Sequence, residues 1–406
     1  MTDLKIWLFG HFGGANTGNE STLLAIVSRL RTLYPAAELS CVCSDPEAAK
    51  ARYGVEGVPF STSEARLWDR DVPMIRRLPK ASIALGAELF QYLRAFRILR
   101  GADILIFPGT GLLTDANGIH GWGPYGMFRW TLAARLRRAR VLFMSVGAGP
   151  ITTLAGRQLV RATLSLGSYR SYRDEPSMAC LSRIGVPTER DRIYPDLVFG
   201  LPKAILPADQ PPSPDARRIV GLGLMVYSPE YSASGTPPTD TYQDYLKALA
   251  IFAEWLFEHG YEIRLLLGDG DNGAIEDFKS VLEARLGYSH AEFLVEQPVR
   301  TVRDVLNAVA ATDVVVATRF HNVLLSLILN KPVVAISFHH KCSSLMRQME
   351  LSEYCHDIHG MDSARLIEQF ELMEQNQDAI RTTIADGVSH ARVALDEQYG
   401  RLFPTT

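Results

Sequence analysis

Short apolar runs alternate with segments of helical periodicity along almost the whole chain. In the first half LKIWLFG (4–10), AELSCVCS (37–44), ADILIFPG (102–109), ARVLFMSVG (139–147) and GSYRSYRD (167–174) read as strands. Between them STLLAIVSRLRTLY (21–34), MFRWTLAARLRRA (127–139) and PSMACLSRIG (176–185) read as amphipathic helices. Apolar strands each followed by a helix predict parallel strands covered on both faces. The alternation stops at GLPKAILPADQPPSPDAR (200–217), which carries five prolines and no periodicity. It then restarts with RRIVGLGLMVYS (217–228), a helix at 241–260, YEIRLLLGD (261–269), a helix near 273–286, AEFLV (291–295), a helix near 301–311, DVVVAT (313–318) and KPVVAIS (331–337). The expectation is an α/β protein with two doubly wound domains facing a cleft. They span 1–200 and 218–360, joined by a proline-rich linker at 201–217, and helices at 361–406 pack on or bridge them. Ligands in open α/β sheets bind beyond the carboxyl ends of the strands, so the loops there are the ones to read.

Composition narrows the function classes. The chain has 406 residues, is 47% hydrophobic and 21% charged, and has a net charge of −3. That balance lacks the basic field of a nucleic-acid-binding protein. Five cysteines without a CxxC pair point to free thiols in a reducing compartment. The N-terminus lacks a basic, then apolar, leader, and no apolar run reaches the ~18 residues of a membrane span. A cytoplasmic protein, or one peripheral to a membrane, is expected. His11, His120 and His259 have no metal-ligand spacing, so no metal or cofactor is expected. The arginine run RWTLAARLRRAR (129–140) reads as a solvated helix face, or else as a patch that approaches anionic lipid.

Three strand-end loops are rich in glycine. GHFGGANTGNES (10–21) carries Gly10, Gly13, Gly14 and Gly18, with Asn19 or Ser21 able to cap the following helix. PGTGLLTDANG (108–118) carries Gly109, Gly111 and the carboxylate Asp115, and VGAGPI (146–151) carries Gly147 and Gly149. None matches GxGxxG or the GxxxxGK[ST] phosphate loop. Together they describe a mouth where backbone can come close to a ligand. Cations gather at other strand ends: Arg173 in SYRDEPS (171–177), Arg319 and His321 in TRFHN (318–322), and Lys341 in FHHKCSS (338–344). Arg173 could instead form a surface pair with Asp174. Arg319 and His321 are poor turn formers wedged between two apolar runs, and burying them without partners is costly. Arginine grips carboxylate or phosphate in two-pronged fashion, lysine acts as a point charge, and histidine exchanges protons near neutrality. A pocket for a small dianion follows.

In this order the motifs GHFGGANTGNES, DILIFPGTGLLTD, VGAGPI, SYRDEPS…LSRIGV, YPDLVF and TRFHNVLLSLILNKPVVAIS…K, spanning residues 6–341, resemble the polysaccharide pyruvyl transferase family. The resemblance implies two Rossmann-like domains of the glycosyltransferase-B (GT-B) type. It also implies transfer of the carbon skeleton of phosphoenolpyruvate to a sugar diol, with a pyruvate ketal formed and phosphate released. It assigns Arg173, Arg319 and Lys341 to phosphoenolpyruvate, which would sit against the C-terminal, donor-side domain that carries Arg319 and Lys341. His321 becomes the preferred acid/base, Asp115 the second acid/base or the residue that orients an acceptor hydroxyl, with Arg319 beside them in catalysis. Gly13, Gly14, Asn16, Asn19, Glu20, Gly109, Gly111, Gly147 and Gly149 face the sugar acceptor on the N-terminal side. No cofactor is implied beyond the co-substrate. The acceptor would be a glycan or a lipid- or nucleotide-linked sugar, its choice set by residues 55–100 and 228–240. One departure stands out: the family's first loop reads NxGD, and here Asn19 stands in place of the aspartate. Two rivals remain on sequence. One is a nucleotide-sugar glycosyltransferase of the same architecture, with Glu276 or Asp277 near the ribose. The other is a non-catalytic relative that binds a glycan or a partner protein.

Overall fold

In the computed structural model the chain divides into two compact units. Residues 4–14, 16–61, 78–116, 118–120, 123–208, 217–227, 239–268, 272–287, 294–296 and 299–403 are described. Residues 62–77, 209–216 and 228–238 lie outside them, so about half of the expected linker and parts of both expected acceptor-selecting stretches are outside the described residues.

The first unit comprises Met1–Gly14, Thr22–Leu197 and Gln398–Thr406. In chain order its elements are β1 (Lys5–Phe9), α1 (Thr17–Leu33), β2 (Glu38–Cys43), α2 (Pro46–Tyr53), β3 (Glu56–Pro59), α3 (Leu78–Ile98), β4 (Ile104–Pro108), α4 (Pro124–Leu136), β5 (Arg140–Val146), α5 (Leu154–Ser165), β6 (Tyr169–Tyr172), α6 (Glu175–Arg183) and β7 (Arg192–Ile193). The strands form one parallel sheet in the order β3-β2-β1-β4-β5-β6-β7. Phe9, Phe107 and Phe143 stack across its centre, with ring centroids 4.8 and 4.6 Å apart, and Trp130 closes one face. The order reverses between β1 and β4. Their carboxyl ends carry the loops 10–18 and 108–118, which places both at the switch point where such sheets bind ligands.

The second unit comprises Ala15–Ser21 and Val198–Glu397. Its further elements are β8 (Ile219–Gly223), α7 (Thr239–Glu258), β9 (Glu262–Leu266), α8 (Asn272–Leu286), β10 (Leu294–Glu296), α9 (Val302–Ala310), β11 (Val314–Ala317), α10 (Phe320–Ile328), β12 (Val333–Ser337), α11 (His340–Gln348), β13 (Cys355–Asp357), α12 (Ser363–Gln375) and α13 (Gln377–Leu402). A six-stranded parallel sheet runs β10-β9-β8-β11-β12-β13, and its switch point lies between β8 and β11. α10 is apolar almost all round, with Val323, Leu324, Leu325 and Leu327 fully buried. It is a core helix, which explains the unbroken apolar run after TRFHN. The C-terminal residues 361–406 supply α12 and α13, and the last turn of α13 from Gln398 onward groups with the first unit.

The arginine run at 129–140 is not one solvated face. Arg129 is buried, donates to the Phe60 carbonyl at 2.9 Å and lies 3.5 Å from Glu88. Arg135, Arg138 and Arg140 are the exposed members. Among the described residues no helix is long and apolar enough to cross a membrane.

Candidate active site

In the second unit the candidate cations converge on two neighbouring strand ends. Arg319 is the N-cap of α10, directly beyond β11, and His321 lies in that helix's first turn. Lys341 lies in the first turn of α11, beyond β12, with His339 as N-cap accepting from the Lys341 backbone N–H at 3.4 Å. β11 and β12 are paired, and adjacent strands lie about 4.8 Å apart. Two helix N-termini, each with positive end outward, therefore share one edge with an arginine, a histidine and a lysine. Arg319, His321 and Lys341 are half-buried.

Asn322 completes this corner and is not picked out by sequence reasoning. It is fully buried, and its Nδ2 donates to the Leu266 carbonyl at 3.4 Å. Among the described residues its Oδ1 has no hydrogen-bond partner. A Cβ on Gly223 would stand 2.8 Å from Asn322 Nδ2, so the end of β8 is glycine because α10 presses on it. Residues Ala15–Ser21 belong to this unit, and within it a Cβ on Gly18 would fall 1.9 Å from Cε1 and 2.0 Å from Nδ1 of His321. Gly18 therefore opens the space that the imidazole occupies. Its spacing in the first glycine loop was legible, but its partner was not.

Neither Asn19 nor Ser21 caps α1. Asn16 does, accepting from the Asn19 backbone N–H at 2.9 Å, while Ser21 Oγ donates to the Thr17 carbonyl at 2.7 Å. Asn19 thus occupies the third helical position, where an acidic side chain reaches back to the cap and meets the positive helix end. An aspartate expected at this position would therefore serve the helix end without taking part in chemistry. Asn19→Asp is expected to raise unfolding free energy by ~0.3–1 kcal/mol and leave turnover within about twofold. A tenfold gain in rate would instead mark that aspartate as chemical. Glu20 is buried in the same turn.

In the first unit the glycines mainly let loop pack on loop. A Cβ on Gly13, whose φ is +85°, would lie 2.2 Å from the Asp45 carbonyl oxygen. One on Gly147 would lie 2.7 Å from Arg173 Nη2, and one on Gly149 3.1 Å from Thr114. Gly14 is half-exposed, and Gly109 has φ +28° with Leu197 against it. Gly111 follows in the same turn, between Thr110 and the buried Leu112.

Arg173 is not in a surface pair. It is 5% exposed, with Nη1 3.2 Å from Asp196 Oδ2 and Nε 3.4 Å from Asp174 Oδ2. Asp174 also caps α6, accepting from the Ser177 N–H at 2.7 Å, and Ser177 Oγ accepts from Ala148 N–H at 3.0 Å. A guanidinium between two buried carboxylates has most of its charge matched, which favours a positioning role over a grip on a dianion. Asp174 and Asp196 are the residues that sequence reasoning passes over. Asp196 lies in the YPDLVF motif, where only pairing in space reveals it.

Asp115 is likewise occupied. Its carboxylate accepts from Thr152 N–H (2.9 Å) and Oγ (3.3 Å) and from Thr153 N–H (2.8 Å) and Oγ (2.6 Å). Burial alone would raise its pKa, but these hydrogen bonds outweigh burial and hold it below the ordinary carboxylate value. Thr153 is also the N-cap of α5. A carboxylate with filled acceptor sites and a lowered pKa is a poor proton acceptor, so this environment argues for an anchor rather than the second acid/base. Asp115→Asn should cost about 2 kcal/mol at neutral pH, because an amide cannot accept from four donors. A depressed folded-state pKa contributes stability above the unfolded value, and the contribution is lost as pH falls through the folded value. The gap between variant and parent, read by chemical denaturation, should therefore close below about pH 4.

These strand-end sites can be set against known proteins. A profile of the polysaccharide pyruvyl transferase family matches residues 16–340, which include Asn16, Asp115, Arg173, Arg319 and His321. The chain belongs to that family. A curated relative, the amylovoran biosynthesis protein AmsJ of Erwinia amylovora, is 22% identical over 96% of this chain and 97% of its own. Among solved structures, HepE of Anabaena in complex with UDP superposes with a TM-score of 0.64 at 12% identity, covering 99% of this chain and all of that one. A glycosyltransferase from Rickettsia africae gives 0.62 at 10% identity with full coverage of both chains. The UDP-GlcNAc 2-epimerase of Neisseria meningitidis bound to UDP-GlcNAc gives 0.58 at 10%, covering 98% and 99%. These likenesses establish a GT-B-like α/β fold, and the family makes the protein a transferase of polysaccharide biosynthesis that acts on a sugar acceptor. The carboxylates offered for a ribose, both on α8, have neighbours of their own. Glu276 lies 3.5 Å from Lys279, and Asp277 accepts from the Tyr242 hydroxyl at 2.8 Å.

Proposed function

We propose that this pyruvyl transferase family member moves the three-carbon unit of phosphoenolpyruvate onto two hydroxyls of one sugar, in a polysaccharide or its lipid- or nucleotide-linked precursor. The reaction would run on the cytoplasmic side, where that donor is made. The observation that carries the reading is the shared edge of β11 and β12, with Arg319, His321 and Lys341 at two helix N-termini. Phosphoenolpyruvate bears a carboxylate and, through oxygen, a phosphate on the same central carbon, and this edge offers two cations and two helix ends for these two anionic groups.

The reaction balances without any further reagent. A proton adds to the methylene carbon, making it a methyl group, while one sugar hydroxyl oxygen bonds to the central carbon and loses its proton. The C–O bond to phosphate then breaks, leaving the central carbon cationic, and phosphate departs. The second hydroxyl adds to that carbon and gives up its proton to the departing phosphate, which leaves as hydrogen phosphate, and the ketal closes. His321 supplies the proton to carbon and recovers one from a hydroxyl, help worth roughly 10²–10⁴-fold. Arg319 and Lys341 hold the two anionic groups and screen the departing phosphate. Asp115 and the Arg173–Asp196 pair hold the first unit's strand-end loops in place. No step requires a metal or cofactor.

The test is phosphate release from phosphoenolpyruvate with and without galactoside, glucoside and mannosamine acceptors, alongside thermal shifts with phosphoenolpyruvate and with UDP-sugars. Acceptor-dependent release with stabilisation by phosphoenolpyruvate supports the reading. Stabilisation by UDP-sugars alone would replace it with a glycosyltransferase. Phosphoenolpyruvate binding without turnover on the native acceptor would make the protein a binding relative.

A further inference from the structure

The edge of the first sheet where strands begin, opposite the glycine loops, has a chemistry that pyruvyl transfer does not use. A groove of about 800 Å³ lies there, lined by Arg161, Arg170, Arg190, Arg192 and Arg401, with Asp191 its one carboxylate. That carboxylate is spoken for: Arg170 lies 3.1 Å away, and the Tyr172 hydroxyl donates to it at 2.8 Å. Arg161, Arg190, Arg192 and Arg401 are exposed, as are the carboxylates Glu189, next to Arg190, and Glu397, one turn before Arg401 on α13.

The basic band continues along the same edge. Arg135 Nη1 donates to Ser168 Oγ on the groove wall at 3.4 Å, and the Arg140 guanidinium donates to the Leu402 carbonyl at 3.4 Å, next to Arg401. Arg138 follows α4 with φ +66°, a conformation in which glycine is the inexpensive choice. An exposed arginine is kept there despite the strain. Across the sheet, at β2 and β3, the carboxylates Glu38 and Glu56 are each 2.9 Å from a lysine, Lys5 and Lys50. On the arginine-rich half of the edge arginines outnumber carboxylates, although the whole chain is at −3.

A second, independent feature adjoins it. Leu136, between Arg135 and Arg137, is 65% exposed. On the outer face of α3, Leu89, Phe90 and Leu93 are 59, 53 and 43% exposed, and Arg97 and Arg100 continue that face at helical spacing. The two helix ends meet where Arg137 Nε donates to the Phe96 carbonyl at 2.7 Å, its guanidinium 3.5 Å from the Phe96 ring. Large apolar side chains flanked by arginines are what an interfacial surface presents to a bilayer. A nucleic acid would match the charge but offers no apolar phase for Leu136 or Phe90.

We propose that this face docks the protein on an anionic phospholipid surface, with headgroup phosphates in the arginine groove and Leu136, Leu89, Phe90 and Leu93 at headgroup depth. The proposal does not depend on which donor the strand-end site takes.

The experiment is co-sedimentation of the full chain with vesicles of phosphatidylcholine alone and of phosphatidylcholine with phosphatidylglycerol, at low and physiological salt. Binding is expected only to the phosphatidylglycerol vesicles, weakened but not abolished by salt. The triple variant Arg138→Glu, Arg161→Glu, Arg190→Glu should bind about 100-fold more weakly, with its melting curve unchanged. If that variant melts early, the double variant Leu136→Ser, Phe90→Ser decides, with an expected loss of several-fold. Equal binding to both vesicle types, or variants that bind like the parent, would overturn the proposal. So would calorimetric binding of inorganic pyrophosphate that the triple variant abolishes, coupled with no vesicle binding, because the groove would then serve a soluble phosphate ligand.

Discussion

His321→Ala is expected to lower turnover at least 100-fold, within the roughly 10²–10⁴ range of a lost acid/base group, while the protein melts as the parent does. His321 is half-buried in the first turn of a helix whose stability comes from its fully buried Val323, Leu324, Leu325 and Leu327. Removing the imidazole leaves that packing intact. His321→Gln separates the two duties of the ring: glutamine keeps a polar side chain at the site but cannot exchange protons. It should therefore bind phosphoenolpyruvate near the parental affinity and still fail to turn it over. A variant of either kind with parental turnover would remove His321 from the mechanism.

Gly18→Ala is the second large effect, and its sign is informative because activity and stability should part. Alanine is the better helix former by ~1 kcal/mol, and Gly18 is not among the residues with a positive φ. Read from the backbone alone, the substitution is harmless or stabilising. Its methyl group, however, would stand 1.9–2.0 Å from the His321 ring atoms, so the imidazole must leave its position. Displacing a catalytic group by an ångström can cost about 100-fold. The expected outcome is a near-parental melting curve with kcat down about two orders of magnitude, and a double variant with His321→Ala that loses no more than His321→Ala alone. Independent, multiplying losses would show that Gly18 does not act through His321.

Much of the fold was legible because buried parallel strands write themselves as continuous apolar runs. VLFMSV and VVVA are strands on that signal alone, and the loss of periodicity after Gly200 marks the change of unit. Less legible were α2, β3 and β7, which are short and carry little apolar pattern, and the exchange of Ala15–Ser21 and Gln398–Thr406 between units, which no local signal encodes. At the site, Arg319, His321 and Lys341 stood out because charge at the end of an apolar strand is costly unless it is used. Asp115 and Arg173 stood out for the same reason, yet each has partners that the sequence does not announce, Thr152 and Thr153 for one and Asp174 and Asp196 for the other. Residue type announces that a charge sits at a strand end. Only the hydrogen bonds around it show whether that charge remains available.

The most direct test of pyruvyl transfer follows the three carbons themselves. Purified protein is incubated with phosphoenolpyruvate labelled in its methylene carbon and with a sugar acceptor, and the product is read by carbon NMR together with released phosphate. The account predicts a labelled methyl group attached to a ketal carbon on the sugar, formed in equal amount to phosphate and absent with His321→Ala. Label recovered as free pyruvate, or as an enol ether that still carries its methylene group, would contradict it.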